Sequence, residues 1–308
     1  VERASFYNQL DELYLNGDQR AIEAYILDMA QTYSANGDTV QWVMAMNELG
    51  SFYRGASRFD LSIKSFSEVL DTIAQYLGKE NLNYAVTLNN LAGVYRMMGD
   101  HSTALQLFLK SKSIYHDCDF KVDVTYIALL NNIALAYQGS GNLKESEQNL
   151  LEALKELEKI PDCDVEKATT MNNLATLYLR MKKIEDSKIV LNKALLIFSE
   201  KRYSDNPHHA AALNLMGNIC CKEEDYTSAL PLFQKAICIT EKFFGRNHDY
   251  AMACESLGAA YIKAGFQKEA IESLQKALAA FNDIQGMHDR SQRIQQYLEN
   301  MRSEGMAQ

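Results

Sequence analysis

An eight-residue stretch, Leu88-Asn89-Asn90-Leu91-Ala92-Gly93-Val94-Tyr95, returns along the chain at a nearly constant interval. Strong copies run from Leu130 to Tyr137 and from Met171 to Tyr178. Weaker ones run from Met46 to Tyr53, Leu213 to Cys220 and Cys254 to Tyr261. The second residue of each copy gives the series Asn47, Asn89, Asn131, Asn172, Asn214 and Glu255, so every step is 41 or 42 residues. Self-similarity at a fixed period marks a repeat array, in which a unit buries its apolar face only against its neighbours.

Each unit reads as a helix hairpin. Leu88, Leu91, Ala92 and Tyr95 recur at helical spacing and form one apolar stripe. Gly99-Asp100 then breaks the helix, with Gly suited to the left-handed residue after a C-terminus and Asp to the next N-cap. A second periodic run follows through Ala104, Leu105, Phe108 and Leu109 to Ile114. The turn recurs in register as Asn16-Gly17-Asp18, Ala56-Ser57-Arg58, Ser140-Gly141-Asn142, Met181-Lys182-Lys183, Glu223-Glu224-Asp225 and Ala264-Gly265-Phe266. Five residues after the middle of the turn stands a small residue: Ser62, Ala104, Ser146, Ser187, Ala229 or Ala270. A larger side chain there would hold the two helices apart, so this is the expected point of closest approach. A second small site follows at Ala153, Ala194, Ala236 and Ala277. Residues 1–36 form an atypical first hairpin, 40–284 six repeats, and 287–303 a terminal helix with Ile294, Tyr297, Leu298 and Met301 on one face. That helix is expected to cap the stack; binding of a partner is the rival role.

Composition narrows the function. The net charge of -9 opposes binding to phosphate backbones and anionic membrane surfaces. No apolar run approaches the length of a membrane span. The start, Val1-Glu2-Arg3-Ala4-Ser5, holds neither an initiator Met nor an apolar signal segment, which is expected of a fragment or processed form. Six cysteines without disulfide-framework density or Cys-x-x-Cys spacing read as free thiols, so a cytoplasmic location is expected. Gly139-Ser140-Gly141 lacks the Lys of a phosphate loop, and no Gly-x-Ser-x-Gly elbow occurs. A metal site on Cys220, Cys221, Cys238 and Cys254 is the weaker reading beside buried thiols filling the core. The chain is therefore read as non-enzymatic, with no cofactor.

The units resemble tetratricopeptide repeats. Leu91, Ala92, Tyr95, Gly99 and Ala104 match that pattern, as do Leu257, Gly258, Tyr261, Gly265, Ala270 and Ala277. The period exceeds the usual repeat of about 34 residues and is similar to the kinesin-light-chain-like subclass. Ala229-Leu230-Pro231-Leu232-Phe233 and Phe244-Gly245-Arg246-Asn247-His248 also look like that subclass, although Asp249 stands where Pro is usual. The resemblance implies an all-α fold: a right-handed α-solenoid superhelix of about seven helix-turn-helix repeats with a C-terminal capping helix. It also implies that first helices line a concave groove.

By that similarity, Asn47, Asn89, Asn131, Asn172 and Asn214 face the groove, with Ser51, Gly93, Leu135, Thr176 and Asn218 four residues on. An amide offers an acceptor and two donors, so a column of them is suited to holding a peptide backbone. The alternative is that these amides bond only to neighbouring helices. A row of cations, Arg54, Arg96, Arg180, Lys222 and Lys263, lies late in the first helices. It either receives an acidic peptide or complements helix dipoles. Tyr84, Tyr126 and Tyr250 begin first helices and are read as exposed aromatics, more suited to packing than to rim contacts. The expected function is a non-catalytic scaffold binding an extended peptide or partner segment. A peptide-sensing regulatory module and a scaffold self-assembling through its terminal helices are the alternatives.

Overall fold

A computed structural model describes residues 2–118, 120–200, 206–284 and 286–305. Among them are fifteen helices and no strand: α1 (Glu2–Asn16), α2 (Gln19–Ala35), α3 (Thr39–Gly55), α4 (Phe59–Leu77), α5 (Leu82–Met97), α6 (His101–Asp117), α7 (Val124–Gly139), α8 (Leu143–Leu157), α9 (Asp164–Arg180), α10 (Ile184–Phe198), α11 (Pro207–Lys222), α12 (Tyr226–Phe244), α13 (His248–Ala264), α14 (Gln267–Asn282) and α15 (His288–Gly305). None is long and apolar enough to cross a membrane. The described residues fall into two compact units, one ending at Ile197 and the other beginning at Phe198. In the first, hairpins α3/α4, α5/α6 and α7/α8 pack internally, and α3, α5, α7 and α9 contact one another in succession. In the second, α11/α12 and α13/α14 form hairpins and α15 lies on α14.

The turns follow the repeat register. Asp100 N–H donates to Tyr95 C=O across 2.9 Å, the bond that closes a helix end when the residue between is left-handed. That residue is Gly99, at φ 87°. Where a repeat lacks Gly, the chain still adopts the same conformation: Ser57, Lys182 and Glu224 sit at φ 60°, 61° and 61°. Asp100 then caps α6 by accepting from Thr103 N–H at 3.0 Å, and Asp225 caps α12 in the same way from Ser228.

The small residues mark the helix contact. Ser62, Ala104, Ser146, Ser187, Ala229 and Ala270 are all fully buried. Ser62 Oγ donates to Gly50 C=O and Ser187 Oγ to Ala175 C=O, both at 2.7 Å. Opposite them the partner is also small: a Cβ on Gly50 would lie 2.7 Å from the Phe66 ring, and one on Gly217 equally close to Phe233. The core of each hairpin is thus an aromatic or Leu on the second helix seated against Gly or Ala on the first. Between hairpins, Ala134 and Leu150 of α7/α8 cluster with Leu174 and Leu177 of α9 in the first unit, and Ala229 and Phe233 of α12 with Leu257 and Ala260 of α13 in the second.

One aromatic expectation is corrected in part: the three tyrosines at first-helix starts pack, as favoured, but are not exposed. Tyr84, Tyr126 and Tyr250 are buried, because each stands three residues after an N-cap whose side chain receives its N–H. Tyr297 is 44% exposed, while Ile294, Leu298 and Met301 of α15 are buried.

Candidate functional site

The repeated amides sit where neighbouring first helices meet. Asn132 Nδ2 donates to Asn89 Oδ1 at 3.0 Å, from α7 to α5. Asn173 Nδ2 donates to Asn131 Oδ1 at 2.8 Å, from α9 to α7. Asn131 Nδ2 in turn donates to Thr170 Oγ1 and to Ile127 C=O. At the start of the series, Thr87 Oγ1 donates to Asn47 Oδ1, and Asn47 Nδ2 donates to Val43 C=O. The doublet Asn-Asn therefore works as a pair: the first amide accepts on one helix and the second donates from the next. Asn89, Asn131 and Asn172 are each 7% exposed, so this column lies largely out of solvent. Asn47, Asn214 and Asn218 are half-buried. In the second unit the column ends at Glu255, whose carboxylate accepts from Arg290 Nε of α15 at 2.7 Å.

A cavity of about 590 Å³ opens in the first unit beside the solvent-facing end of this column. Its walls are Val40, Val43, Met44, Ile73, Tyr76, Leu77 and Val86, from α3, α4 and α5. Its polar groups include Tyr7, Asn47, Glu48, Ser51 and Asn90. Tyr7 Oη donates to Glu48 Oε1 at 3.0 Å, tying α1 to this floor. The apolar rim is open to solvent: Val40 is 77% exposed, Tyr76 65% and Leu77 62%. Of the residues singled out in the sequence, Asn47 and Ser51 line this cavity; Asn89, Asn131 and Asn172 do not.

The basic row divides. Arg54 and Arg96 are half-buried on α3 and α5, whereas Arg180, Lys222 and Lys263 are exposed. Arg54 Nη1 donates to Asn90 C=O at 3.2 Å. Its guanidinium lies directly over Gly93, where an added Cβ would stand 2.9 Å from Nη1. Desolvation in this position, and then repulsion from Arg96, bring Arg54 down to about 10 against the opposing pull of Glu48. The α7 position that continues the row is Gln138, which is buried.

The six cysteines are free thiols. Burial pushes Cys254 up to about 11, and the same cause raises Cys163 and Cys221. Among the described residues no group of His, Cys, Asp and Glu is arranged to hold a metal ion. His209 is buried and stacks on Phe198, with ring centroids 5.6 Å apart.

The tetratricopeptide repeat family model matches residues 43–116, 125–200 and 208–283, most of the chain. The chain belongs to the tetratricopeptide repeat family. It is 23% identical over 260 residues to Protein KINESIN LIGHT CHAIN-RELATED 3 of Arabidopsis thaliana, covering 84% of this chain and 40% of the relative. It is 24% identical over 258 residues to Protein KINESIN LIGHT CHAIN-RELATED 2 of the same plant, covering 83% and 39%. The chain thus spans about two-fifths of the length of these relatives. Among solved structures, BtubC (BKLC) from P. vanneervenii shares the tetratricopeptide fold at TM-score 0.54 and 19% identity, covering 74% of this chain and 92% of that one. A chain of the APC/C hetero-tetramer Cut9-Hcn1 gives TM-score 0.64 at 15% identity, covering 95% of this chain and 49% of that one. A Rap protein complexed with competence and sporulation factor gives 0.60 at 13%, covering 97% and 99%.

Proposed function

We propose that this tetratricopeptide repeat chain is a non-catalytic interaction module that holds a segment of a partner polypeptide, with its contact surface at the α3–α5 cavity. The observation that carries this reading is the apolar opening of about 590 Å³ with Val40, Tyr76 and Leu77 exposed at its rim. Burying such surface against a partner's side chains yields roughly 25 cal/mol per Å². Asn47, Ser51 and Asn90 beside it are suited to hydrogen bonds with a peptide backbone. In the first unit, Arg54, Arg96, Asn89, Asn131 and Asn172 act chiefly by holding α3, α5, α7 and α9 in place, with Arg180 an exposed contact; in the second, Asn214, Asn218 and Lys222 are the corresponding candidate contacts. The solved Rap protein, described as complexed with competence and sporulation factor, supports occupancy of such a fold by a factor from outside the chain. We read both units as one array by their shared repeat register. The acidic net charge supports a protein rather than nucleic acid as partner, and the free thiols support a cytoplasmic setting.

A lysate pull-down tests the reading, comparing the native chain, the double variant Val40→Asp/Leu77→Asp and the triple variant Asn89→Ala/Asn131→Ala/Asn172→Ala. The substituted rim residues are exposed, so circular dichroism of the double variant should match the native chain. Partners lost in the double variant support the cavity as the contact. Partners held equally by it overturn this reading.

A further inference from the structure

A separate recess, of about 530 Å³, lies in the second unit between α13, α14 and α15. Its α13 wall stands at the repeat positions that the sequence assigns to the groove: Glu255 ends the amide column, Ala259 follows four residues on, and Lys263 ends the basic row. The terminal helix α15 faces it with Arg290, Arg293 and Tyr297. Among the described lining residues, Glu255 is the one acid beside three cations. That carboxylate is engaged: Arg290 Nε donates to Glu255 Oε2 at 2.7 Å, and the same guanidinium lies over Phe281, 5.2 Å from the ring centroid. Lys263 and Arg293 are exposed, and neither is ion-paired with an acid among the described residues. Arg293 Nε donates to Asp289 C=O at 3.4 Å, a contact that leaves its charge unmatched. The lining thus holds a surplus of two positive charges in a chain whose net charge is -9. Such a local reversal of field attracts an anion.

We infer that this recess takes a phosphorylated segment of a partner polypeptide, with the phosphate against Lys263 and Arg293 and an adjoining apolar side chain against Ala259, Ile262 and Tyr297. A phosphomonoester brings about 1.5 to 2 negative charges on a single group, which matches the surplus, whereas one Asp or Glu side chain brings half of it. An ammonium meets phosphate oxygens as a point charge and a guanidinium meets them as a planar fork, so the two cations are complementary donors. Arg290 adds to the field but is held in place by Glu255 and Phe281. This surface belongs to the second unit and does not rest on the α3–α5 cavity of the first.

Three pools of synthetic dodecapeptides test the inference, with degenerate flanks around a fixed phosphoserine, serine or glutamate. Each pool is passed over the immobilised native chain, and retained sequences are read by mass spectrometry. The phosphoserine pool should be retained above the other two, with apolar residues beside the phosphoserine. A labelled peptide from it should bind Lys263→Ala and Arg293→Ala each about tenfold more weakly by fluorescence anisotropy, as loss of a charge-assisted hydrogen bond requires. Lys268→Ala removes an exposed cation outside the recess, so it should bind the peptide as the native chain does. Val40→Asp/Leu77→Asp should do the same, which separates this inference from the reading of the α3–α5 cavity. Retention of the glutamate or serine pool equal to that of the phosphoserine pool overturns the inference, as does retention of none. Unchanged affinity in the double variant Lys263→Ala/Arg293→Ala also overturns it, because the phosphate would then be held elsewhere.

Discussion

A hydrogen bond between equivalent residues of adjacent repeats is formed when donor and acceptor both recur one period apart. Asn132 reaches Asn89 and Asn173 reaches Asn131, from the residue that follows the column position in the next repeat. In the second unit that following residue is Ser256, behind Glu255 on α13. The amide it would serve is on α11: Asn214 Oδ1 is buried with no donor among the described residues. A buried acceptor left without a donor costs about 1–3 kcal/mol, so this position is open to improvement. Ser256→Asn places an amide 42 residues after Asn214, the same separation as Asn173 from Asn131. Ser and Asn have similar helix propensity, so the change isolates the bond. The variant should gain about 1 kcal/mol and a higher urea midpoint. An unchanged midpoint would show that α11 and α13 hold a different register from α5 and α7.

The hairpin turn carries its information in the backbone. Every hairpin needs a left-handed residue at one place, and the sequence supplies Gly at some repeats and Ser57, Lys182 and Glu224 at others. A non-glycine residue there costs roughly 1–2 kcal/mol, of which Gly returns about 0.4–1 to the unfolded chain's entropy. Lys182→Gly should therefore raise the melting temperature by a few degrees, consistent with a gain of about 0.5–1 kcal/mol. A lowered melting temperature would mean that the Lys182 side chain contributes more than its backbone costs. This turn was legible in the sequence because Gly, Asp and small residues stand at fixed offsets whose causes are steric. The first helices' amides were legible as a column, but not their partners. Thr87, Asn132 and Thr170 bond to it from the next repeat, and no local pattern pairs residues some 40 positions apart. The cavity was illegible for a different reason. Val40, Tyr76 and Leu77 look like ordinary members of apolar stripes. Tyr76 and Leu77 are exposed because they stand in the last turn of the 19-residue α4, and Val40 because it stands in the first turn of α3. For Tyr84, Tyr126 and Tyr250 the packing role was legible but the burial was not: next to a connector they look exposed, yet the capped first turn points them inward.

In an array, stability is a sum of unit terms and neighbour terms, so a local change need not spread through the whole chain. The amide bonds link α3, α5, α7 and α9 of the first unit, and Asn131 is their most connected member, donating twice and accepting once. Removing it leaves Asn173 Nδ2 and Thr170 Oγ1 without that partner in a buried setting. Asn131→Ala should cost about 2–3 kcal/mol. The chain carries its own reporter for where this cost appears, since its single tryptophan, Trp42, lies on α3 in the same unit. Trp42 fluorescence follows the first unit during urea denaturation, whereas circular dichroism follows the helices of both. If the two units unfold separately, Asn131→Ala should lower the Trp42 midpoint and leave part of the dichroism transition at its native position. If the whole dichroism curve moves with the fluorescence, the array unfolds as one cooperative body. The amide bonds of α7 then stabilise helices that make no contact with them, and the break between units at Phe198 is geometric rather than energetic.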